Sequence, residues 1–525
     1  MFSARFCVYC PPKPGQFRWF WREIYILLLA KTIIYFVVLA GNNSLTAMIV
    51  GRETETAILK QALETSESEL IAVYGRRRVG KTFLIRNVYK DQLIFDFSGM
   101  HNSATYEQLE SFTLALSAFS NASIPPETPK NWIRAFEMLK TYITHRIKRK
   151  KAVIFFDEFP WIDSHKSGFL QAFEHFWNSW ASNQKKLVVV ICGSAASWMI
   201  QKIVNNKGGL HNRITRRIRL LPFTLNEAET YLKSRRIILD RYQLLQLYMV
   251  LGGIPHYLKD IRPGESTAQN IDRMCFTKDG LLQNEFKNLY DSLFVQADKH
   301  IAVIRALAGR PAGLTRNEII ETCHFTTGGG ITKLLEELLE SGFIEAYIPF
   351  DKNVKQSIYK LSDEYSAFYL KFMEGSKVSG PGSWVRQSAS SSWKSWSGMA
   401  FERICHKHIP QIKKALGIAA VYTQESAWRY APKTGENGTQ IDLLIDRQDF
   451  TINLCEIKFS TSEFTIDKKY ASEIQAKVHI FRERTNTKKT VFPTMITTFG
   501  TRSNEYKLNL IQSEVKMESL FDKLS

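Results

Sequence analysis

Cysteine is scarce in this chain and acid is in deficit. Seven cysteines (Cys7, Cys10, Cys192, Cys275, Cys323, Cys405 and Cys455) are scattered over 525 residues, which excludes a small disulfide-stapled scaffold and fits reduced thiols in a cytosolic setting. Cys7 and Cys10 form a lone C-x-x-C with neither a second pair nor an adjacent histidine, half of what a structural zinc site needs. Asp and Glu number 51 against 70 Lys and Arg, a formal charge of +19. That balance suits a polyanionic partner such as nucleic acid, DNA above all, although a basic surface that only aids solubility has the same composition. No internal repeat is present, so a solenoid is excluded. The densest apolar run, Ile24 to Ala40, is interrupted by Lys31 and Thr32 and falls short of the ~20 residues a spanning helix needs.

What the chain does have is core material, with 44% hydrophobic and 12% aromatic residues. Its length exceeds one hydrophobic core, and about three folded units are expected. From Glu69 onward apolar strands at Leu70–Tyr74, Leu93–Phe97, Ala152–Phe156 and Leu187–Cys192 alternate with helical patterns, which predicts an α/β unit with a mainly parallel sheet. Leu225 to Phe294 reads as helical, as a lid would. His300 to Met373 offers three short helices and two strands around a turn at Asp351–Asn353, the order of a winged helix-turn-helix. Its second helix, Gly330 to Leu339, carries Lys333 but also Glu336, Glu337 and Glu340. Phosphate would repel those acids, so a scaffold or protein-contact role is expected over base reading. The resulting units are 1–47 (apolar extension), 48–295 (α/β with lid), 296–373 (winged-helix-like), 374–397 (Ser/Gly-rich linker) and 398–525 (second α/β unit).

Gly75-Arg76-Arg77-Arg78-Val79-Gly80-Lys81-Thr82 fits G-x-x-x-x-G-K-[ST] in full, between an apolar strand and a helical pattern. Glycines allow the backbone N–H groups to wrap phosphates at the positive end of the following helix. Lys81 is expected to neutralise the β/γ-phosphates of ATP and Thr82 to place its hydroxyl on Mg²⁺. The strand Ala152–Phe156 ends in Asp157-Glu158. Asp157 is the expected metal partner and Glu158 the base for the attacking water; the competing reading, a helix cap, loses ground beside the glycine loop. Ser194, ending the next strand, serves either as a phosphate or water sensor or as a cap. Arg213, among several arginines, is a candidate arginine finger.

These residues resemble the archaeal-type ATPases of the P-loop superfamily, related to the STAND and AAA+ proteins. The likeness rests on Val50-Gly51-Arg52-Glu53, Tyr74 to Thr82, Asp157-Glu158-Phe159, Cys192-Gly193-Ser194, Arg213 with Leu221-Pro222-Phe223, and Gly252-Gly253-Ile254-Pro255-His256-Tyr257-Leu258, spanning Met48 to Leu258. It implies that Pro255 and Tyr257 lie against the nucleotide base. Asn212 departs from the glycine that relatives often carry there. An ATPase belongs in the cytoplasm. Arg5, Lys13, Arg18 and Arg22 precede the apolar run, so a genuine anchor would by the positive-inside rule put the rest of the chain outside, away from ATP. Met48 is therefore the expected native start, and a membrane partner is expected only if the segment is a true anchor.

Near the C-terminus, Asp442 sits on one strand and Glu456-Ile457-Lys458 on the next. Alternation puts Glu456 and Lys458 on one face, and a hairpin would bring Asp442 to it. Two carboxylates and a lysine suit metal-assisted phosphodiester hydrolysis; a salt-bridged strand pair is the bland alternative. The order of a helix with Glu402, the Asp strand, the Glu-x-Lys strand, a helix and a strand resembles the PD-(D/E)XK restriction-endonuclease fold, with Ile441 where a proline is usual. The resemblance implies Asp442 and Glu456 as metal ligands, Lys458 as a catalytic cation and Glu402 as an outer-shell group. Taken together, the expectation is an ATP-driven switch or motor on nucleic acid with a nuclease-like domain. A STAND-like signalling ATPase whose C-terminal unit only binds, and a winged-helix transcription regulator, remain open, as does a homo-oligomer.

Overall fold

A computed structural model describes residues 49–121, 125–147, 150–204, 208–210, 212–376, 380–430 and 438–524. The expectations for 1–47, including the anchor and the Cys7/Cys10 pair, lie outside these residues. Among the described residues no helix is long and apolar enough to cross a membrane, and the five described cysteines are free thiols.

Strands β1 (Glu69–Tyr74), β2 (Leu93–Ser98), β3 (Ala152–Asp157), β4 (Leu187–Gly193) and β5 (Arg216–Arg219) form one sheet in the order β2-β3-β4-β1-β5. Every pairing is parallel. β3 and β4 are buried along their full length, as continuous apolar runs require when helices cover both faces. One face is unusually aromatic: Phe136, on the helix Trp132–Arg146, stacks on Phe176 with centroids 5.0 Å apart, and Phe95, Phe112, Phe156 and Phe173 complete the layer. The strand order has a functional consequence. β4 is inserted between β1 and β3, so the loops leaving all three converge at the carboxyl edge, where open α/β sheets bind ligands.

The lid helices start where side chains can cap them. Thr224 and Glu227 form a capping box on Leu225–Ser234, Asp240 caps Arg241–Leu251, and Ser266 caps Thr267–Phe276, each satisfying amides that the first turn leaves orphaned. Helices Ala297–Ala308, Arg316–Thr322 and Gly329–Glu340 follow, with β6 (Leu314–Thr315), β7 (Ile344–Tyr347) and β8 (Ile358–Leu361) in a small antiparallel sheet ordered β6-β8-β7.

The linker expected over 374–397 is not a spacer in its described part. Helix Ser383–Gln387 and the start of Ser391–Lys407 occupy it. Trp384, Trp393 and Trp396 are buried there against Phe368 and Phe372. Serines and glycines gave the segment a linker composition, but three tryptophans carry enough apolar surface to fold it. β9 (Thr423–Tyr430), β10 (Thr439–Arg447) and β11 (Thr451–Lys458) form an antiparallel meander. Helix Lys468–Thr485 then leads to β12 (Thr490–Thr497), parallel to β11, and β13 (Ser513–Lys516) closes the order β13-β12-β11-β10-β9.

Candidate functional site

The loop between β1 and the helix Lys81–Val88 is shaped by two glycines. Gly75 has φ +148°, and a Cβ there would lie 2.2 Å from the Leu220 carbonyl oxygen; Gly80 has φ +92° at the helix entry. No other residue fits both the close approach and the left-handed backbone. Lys81 is buried, and its Nζ donates to the carbonyls of Gly75 and Arg76 at 2.9 Å each. Val79 sits buried at the turn, and its carbonyl accepts from Arg52 Nη2 at 3.4 Å. Arg52 also lies over the Phe223 ring at 4.6 Å. The sequence offered Gly51-Arg52-Glu53 only as a family mark; here Arg52 braces the loop.

Thr82 Oγ1 donates to Asp157 Oδ2 at 2.8 Å, which joins the two halves of the motif across 75 residues of chain. Burial pushes the Asp157 carboxyl above its usual range, and the neighbouring Glu158 adds to the effect, against the bond from Thr82. A hydroxyl and a buried carboxylate side by side are the hard oxygen donors that Mg²⁺ takes, so these residues fit that ion. Glu158 stands in a left-handed conformation, φ 45°, uncommon for a residue with a side chain. Its carboxylate is held by Ser194, whose Oγ donates at 2.6 Å and whose backbone N–H donates at 3.1 Å to Oε2. Insertion of β4 beside β3 brings these two loops together.

The three loop arginines do not share one task. The Arg76 guanidinium forms a fully buried ion pair with Asp363, 287 residues away, and lies 4.9 Å from the Phe343 ring centroid. Burial opposes both charges, but each partner outweighs it: Arg76 is raised and Asp363 is held below the usual carboxylate range. Arg78 pairs with Glu285 at 2.6 Å, and the Tyr257 hydroxyl donates to the same carboxylate at 2.8 Å. Arg77 lies over Trp161 at 5.8 Å. The side chains of Arg76 and Arg78 thus reach into the lid and the third unit, while the expected phosphate contacts of these residues are their backbone N–H groups. Tyr257, expected against the base, is fully buried with its hydroxyl committed to Glu285, because an unpaired phenol in that interior would be costly. Pro255 opens the helix Pro255–Leu258 and is half-buried. Arg213 is exposed on the turn before β5, and its backbone N–H donates to the Leu210 carbonyl at 3.0 Å.

In the C-terminal sheet Leu443 pairs with Cys455, so Asp442 stands opposite Glu456 on the same face. Glu456 is buried, and both oxygens are engaged: Oε1 accepts from Lys477 Nζ at 2.6 Å and Oε2 from the Tyr470 hydroxyl at 3.1 Å. Lys458 Nζ lies 3.9 Å from Oε2 and 5.2 Å over the Tyr470 ring. Asp442 Oδ2 accepts the Ile457 N–H at 3.1 Å; burial first, then Glu456 and Glu402, push its carboxyl up to about 6. Glu402 accepts from Lys360 at 3.2 Å, with His406 3.8 Å away. The expected metal ligands are therefore adjacent but enclosed by protein donors, and among the described residues no group of three or more His, Cys, Asp or Glu side chains is placed to hold a metal ion. As arranged, Asp442 and Glu456 do not fit a resident metal: a buried carboxylate needs a counter-charge, and Lys477 supplies it to Glu456. Lys477 is one of three lysines on its helix, Lys468–Thr485, and nothing local in the sequence singled it out.

A phosphate-wrapping loop, a Thr–Asp pair at the carboxyl edge and a Glu–Ser pair beside it define a P-loop ATPase domain. Residues 49–261 match the family described as an ATPase domain predominantly from Archaea, so this part of the chain carries an archaeal-type ATPase domain. An uncharacterized protein of Methanocaldococcus jannaschii is 23% identical over 404 residues, 76% of this chain and 84% of its own. Among solved structures, the Walker-type ATPase of Pyrococcus abyssi is 17% identical with a TM-score of 0.44, covering 62% of this chain and 96% of that one. The ORC2 protein of Aeropyrum pernix is 14% identical with a TM-score of 0.39, over 63% and 94% respectively.

Proposed function

We propose that the protein is an ATP-binding and ATP-hydrolysing switch that acts on nucleic acid in the cytoplasm. The observation that carries the reading is the junction of Thr82 with Asp157 and of Ser194 with Glu158 at one sheet edge. In this reading the loop amides and Lys81 bind the β/γ-phosphates. Thr82 and Asp157 would hold Mg²⁺, which spreads the phosphate charge when bound. Glu158 takes the proton of the attacking water while Ser194 keeps its carboxylate oriented, and Pro255 contributes to the base-side wall. Arg213, an exposed residue, would in this reading serve a neighbouring copy's nucleotide rather than its own.

The three helices and small antiparallel sheet of the third unit support a winged helix. Helix Gly329–Glu340, the second of the helix-turn-helix pair, is tied by its last carbonyls, Leu339 and Glu340, to Arg219 of β5, which favours the scaffold role. The helix–meander–helix–strand order of the C-terminal unit supports a PD-(D/E)XK-like fold, with Asp442, Glu456 and Lys458 at the family's positions. The engagement of Glu456 by Lys477 and Tyr470 favours the reading in which this unit binds without cutting.

One set of assays separates these readings. Purified protein should hydrolyse ATP in the presence of Mg²⁺. Lys81→Ala should abolish measurable nucleotide binding or turnover. Glu158→Gln should bind normally and turn over ~10²-fold or more slowly, the scale of a lost general base; normal turnover by that variant removes Glu158 from the role. Incubation of DNA and RNA with Mg²⁺ or Mn²⁺ should leave both intact. Cleavage that Asp442→Ala and Glu456→Ala each remove would establish the nuclease instead.

A further inference from the structure

Between the third unit and the C-terminal sheet runs a cleft of about 870 Å³, walled on one side by Arg316, Lys352 and Lys355 and on the other by Trp428, Arg429 and Gln440. Lys352 and Lys355 project from the exposed turn between β7 and β8, and Arg429 from the exposed side of β9. Among the described residues none of these three has an ion-pair partner. The one carboxylate in the lining, Glu318, faces Arg429 electrostatically but commits its Oε2 to the backbone N–H and hydroxyl of Thr315 at 2.7 and 2.8 Å, as a helix cap. Arg316 donates to the Gly328 carbonyl at 3.0 Å and so belongs to the wall.

The two walls are fixed to each other. Phe350, in the turn, donates its N–H to the Ala427 carbonyl at 3.3 Å, and its ring packs on Phe481 with centroids 5.3 Å apart, beside Trp428. Cations that converge on a rigid concave surface and outnumber its one carboxylate focus the field of the basic chain and are ordered before a ligand arrives. Lys360 lines this cleft and also a neighbouring cavity of about 530 Å³ that contains Glu402, so a chain seated in the cleft lies one side chain from Glu402.

We propose that this cleft seats the phosphodiester backbone of a nucleic-acid duplex, with Lys352, Lys355 and Arg429 as the phosphate contacts. The inference rests on the nucleic-acid reading above and deepens it by naming the surface. Contacts of this kind position a duplex without reading its sequence and make binding steeply salt-dependent.

The test is fluorescence anisotropy of the full chain with a labelled DNA duplex and an RNA duplex of the same sequence, between 50 and 200 mM salt. Both concentrations lie in the range where phosphate contacts dominate, roughly as in known complexes. The combined variant Lys352→Ala/Lys355→Ala/Arg429→Ala should bind at least ~10-fold more weakly at the low end. Its slope of log affinity against log salt should be shallower by about 2–3, at roughly 0.9 per lost phosphate contact. Arg429→Lys in an otherwise unchanged chain should keep most of the affinity, and basal ATP turnover of the combined variant should be unchanged. Lys150→Ala/Lys185→Ala, on a separate basic patch, should behave as the unsubstituted protein. Equal loss on DNA and RNA supports a backbone site, and loss on the one duplex that binds supports it for that duplex. Undiminished affinity and slope in the combined variant, or an equal loss in Lys150→Ala/Lys185→Ala, overturns the cleft while the nucleic-acid reading stands. Failure of the unsubstituted protein to bind either duplex overturns both.

Discussion

Ser194 gives Glu158 two donors from one residue, its hydroxyl at 2.6 Å and its backbone N–H at 3.1 Å. A carboxylate so held cannot rotate away from the attacking water, yet only the hydroxyl can be deleted by substitution. Ser194→Ala should therefore lower kcat by about 10-fold, less than a lost general base, and leave nucleotide affinity unchanged. Equal losses in kcat and affinity would assign Ser194 to nucleotide binding instead. The sequence had left Ser194 between a sensor and a helix cap because both roles want a small hydroxyl after a strand. The contact it makes, to Glu158 36 residues away in the chain, is one that neither reading named. Arg76 shows the converse. Inside a phosphate loop an arginine reads as a phosphate ligand, but its acidic partner lies in another unit and no local pattern marks it.

At the scale of elements, His408 joins two helices of different units. Its Nε2 accepts the Leu225 N–H at 3.1 Å, and Nδ1 lies 2.8 Å from the Ile404 carbonyl. The neutral ring protonated on Nδ1 satisfies both; a charged ring would set two donors face to face. Burial pushes its pKa from 6.5 to about 4. Because the folded value is the lower one, the unfolded chain takes up the proton first. Stability is complete above pH 6.5 and falls by up to about 3 kcal/mol as pH drops through that interval to 4. Urea unfolding at several pH values should show this slope, and His408→Gln, which keeps an acceptor, should flatten it. An unchanged slope in the variant would place the acid sensitivity elsewhere. The helical character of 225–294 was legible, whereas the caps Thr224, Asp240 and Ser266 that divide it into separate helices were not singled out. The helices over 383–407 were not, because buried tryptophans outweighed a linker composition only once Phe368 and Phe372 were there to receive them.

Across the whole molecule, the phosphate loop is wired to distant chain. Arg76 reaches Asp363, Arg78 reaches Glu285, and Tyr242 of the lid stacks on Phe459 of the C-terminal unit at 5.5 Å. Removing one member of a buried ion pair leaves an uncompensated charge, so Asp363→Ala should cost about 3–5 kcal/mol in chemical unfolding. Adding Arg76→Met to that variant should recover part of the loss, since an apolar pair of similar size is often nearly neutral. No recovery would mean that Asp363 acts chiefly through Ser366, whose N–H and hydroxyl it also accepts at 2.8 and 2.6 Å.

The sequence by itself determined the parts whose chemistry is contiguous. A glycine loop between an apolar strand and a helix has one geometry open to it, and Lys81, Thr82, Asp157 and Glu158 were readable because each sits at a fixed offset from a buried strand. Alternation likewise put Glu456 and Lys458 on one face. Tertiary structure alone decided what depends on partners far apart in the chain. The insertion of β4 between β1 and β3 set Ser194 against Glu158. The lid and third unit supplied the partners of two loop arginines, Glu285 and Asp363, and Lys477 with Tyr470 enclosed the carboxylate that the sequence had offered to a metal. In each case the reason is the same: taking a charge out of water demands a hydrogen-bond donor or a counter-charge beside it, and which residue supplies it is settled by packing, not by spacing along the chain.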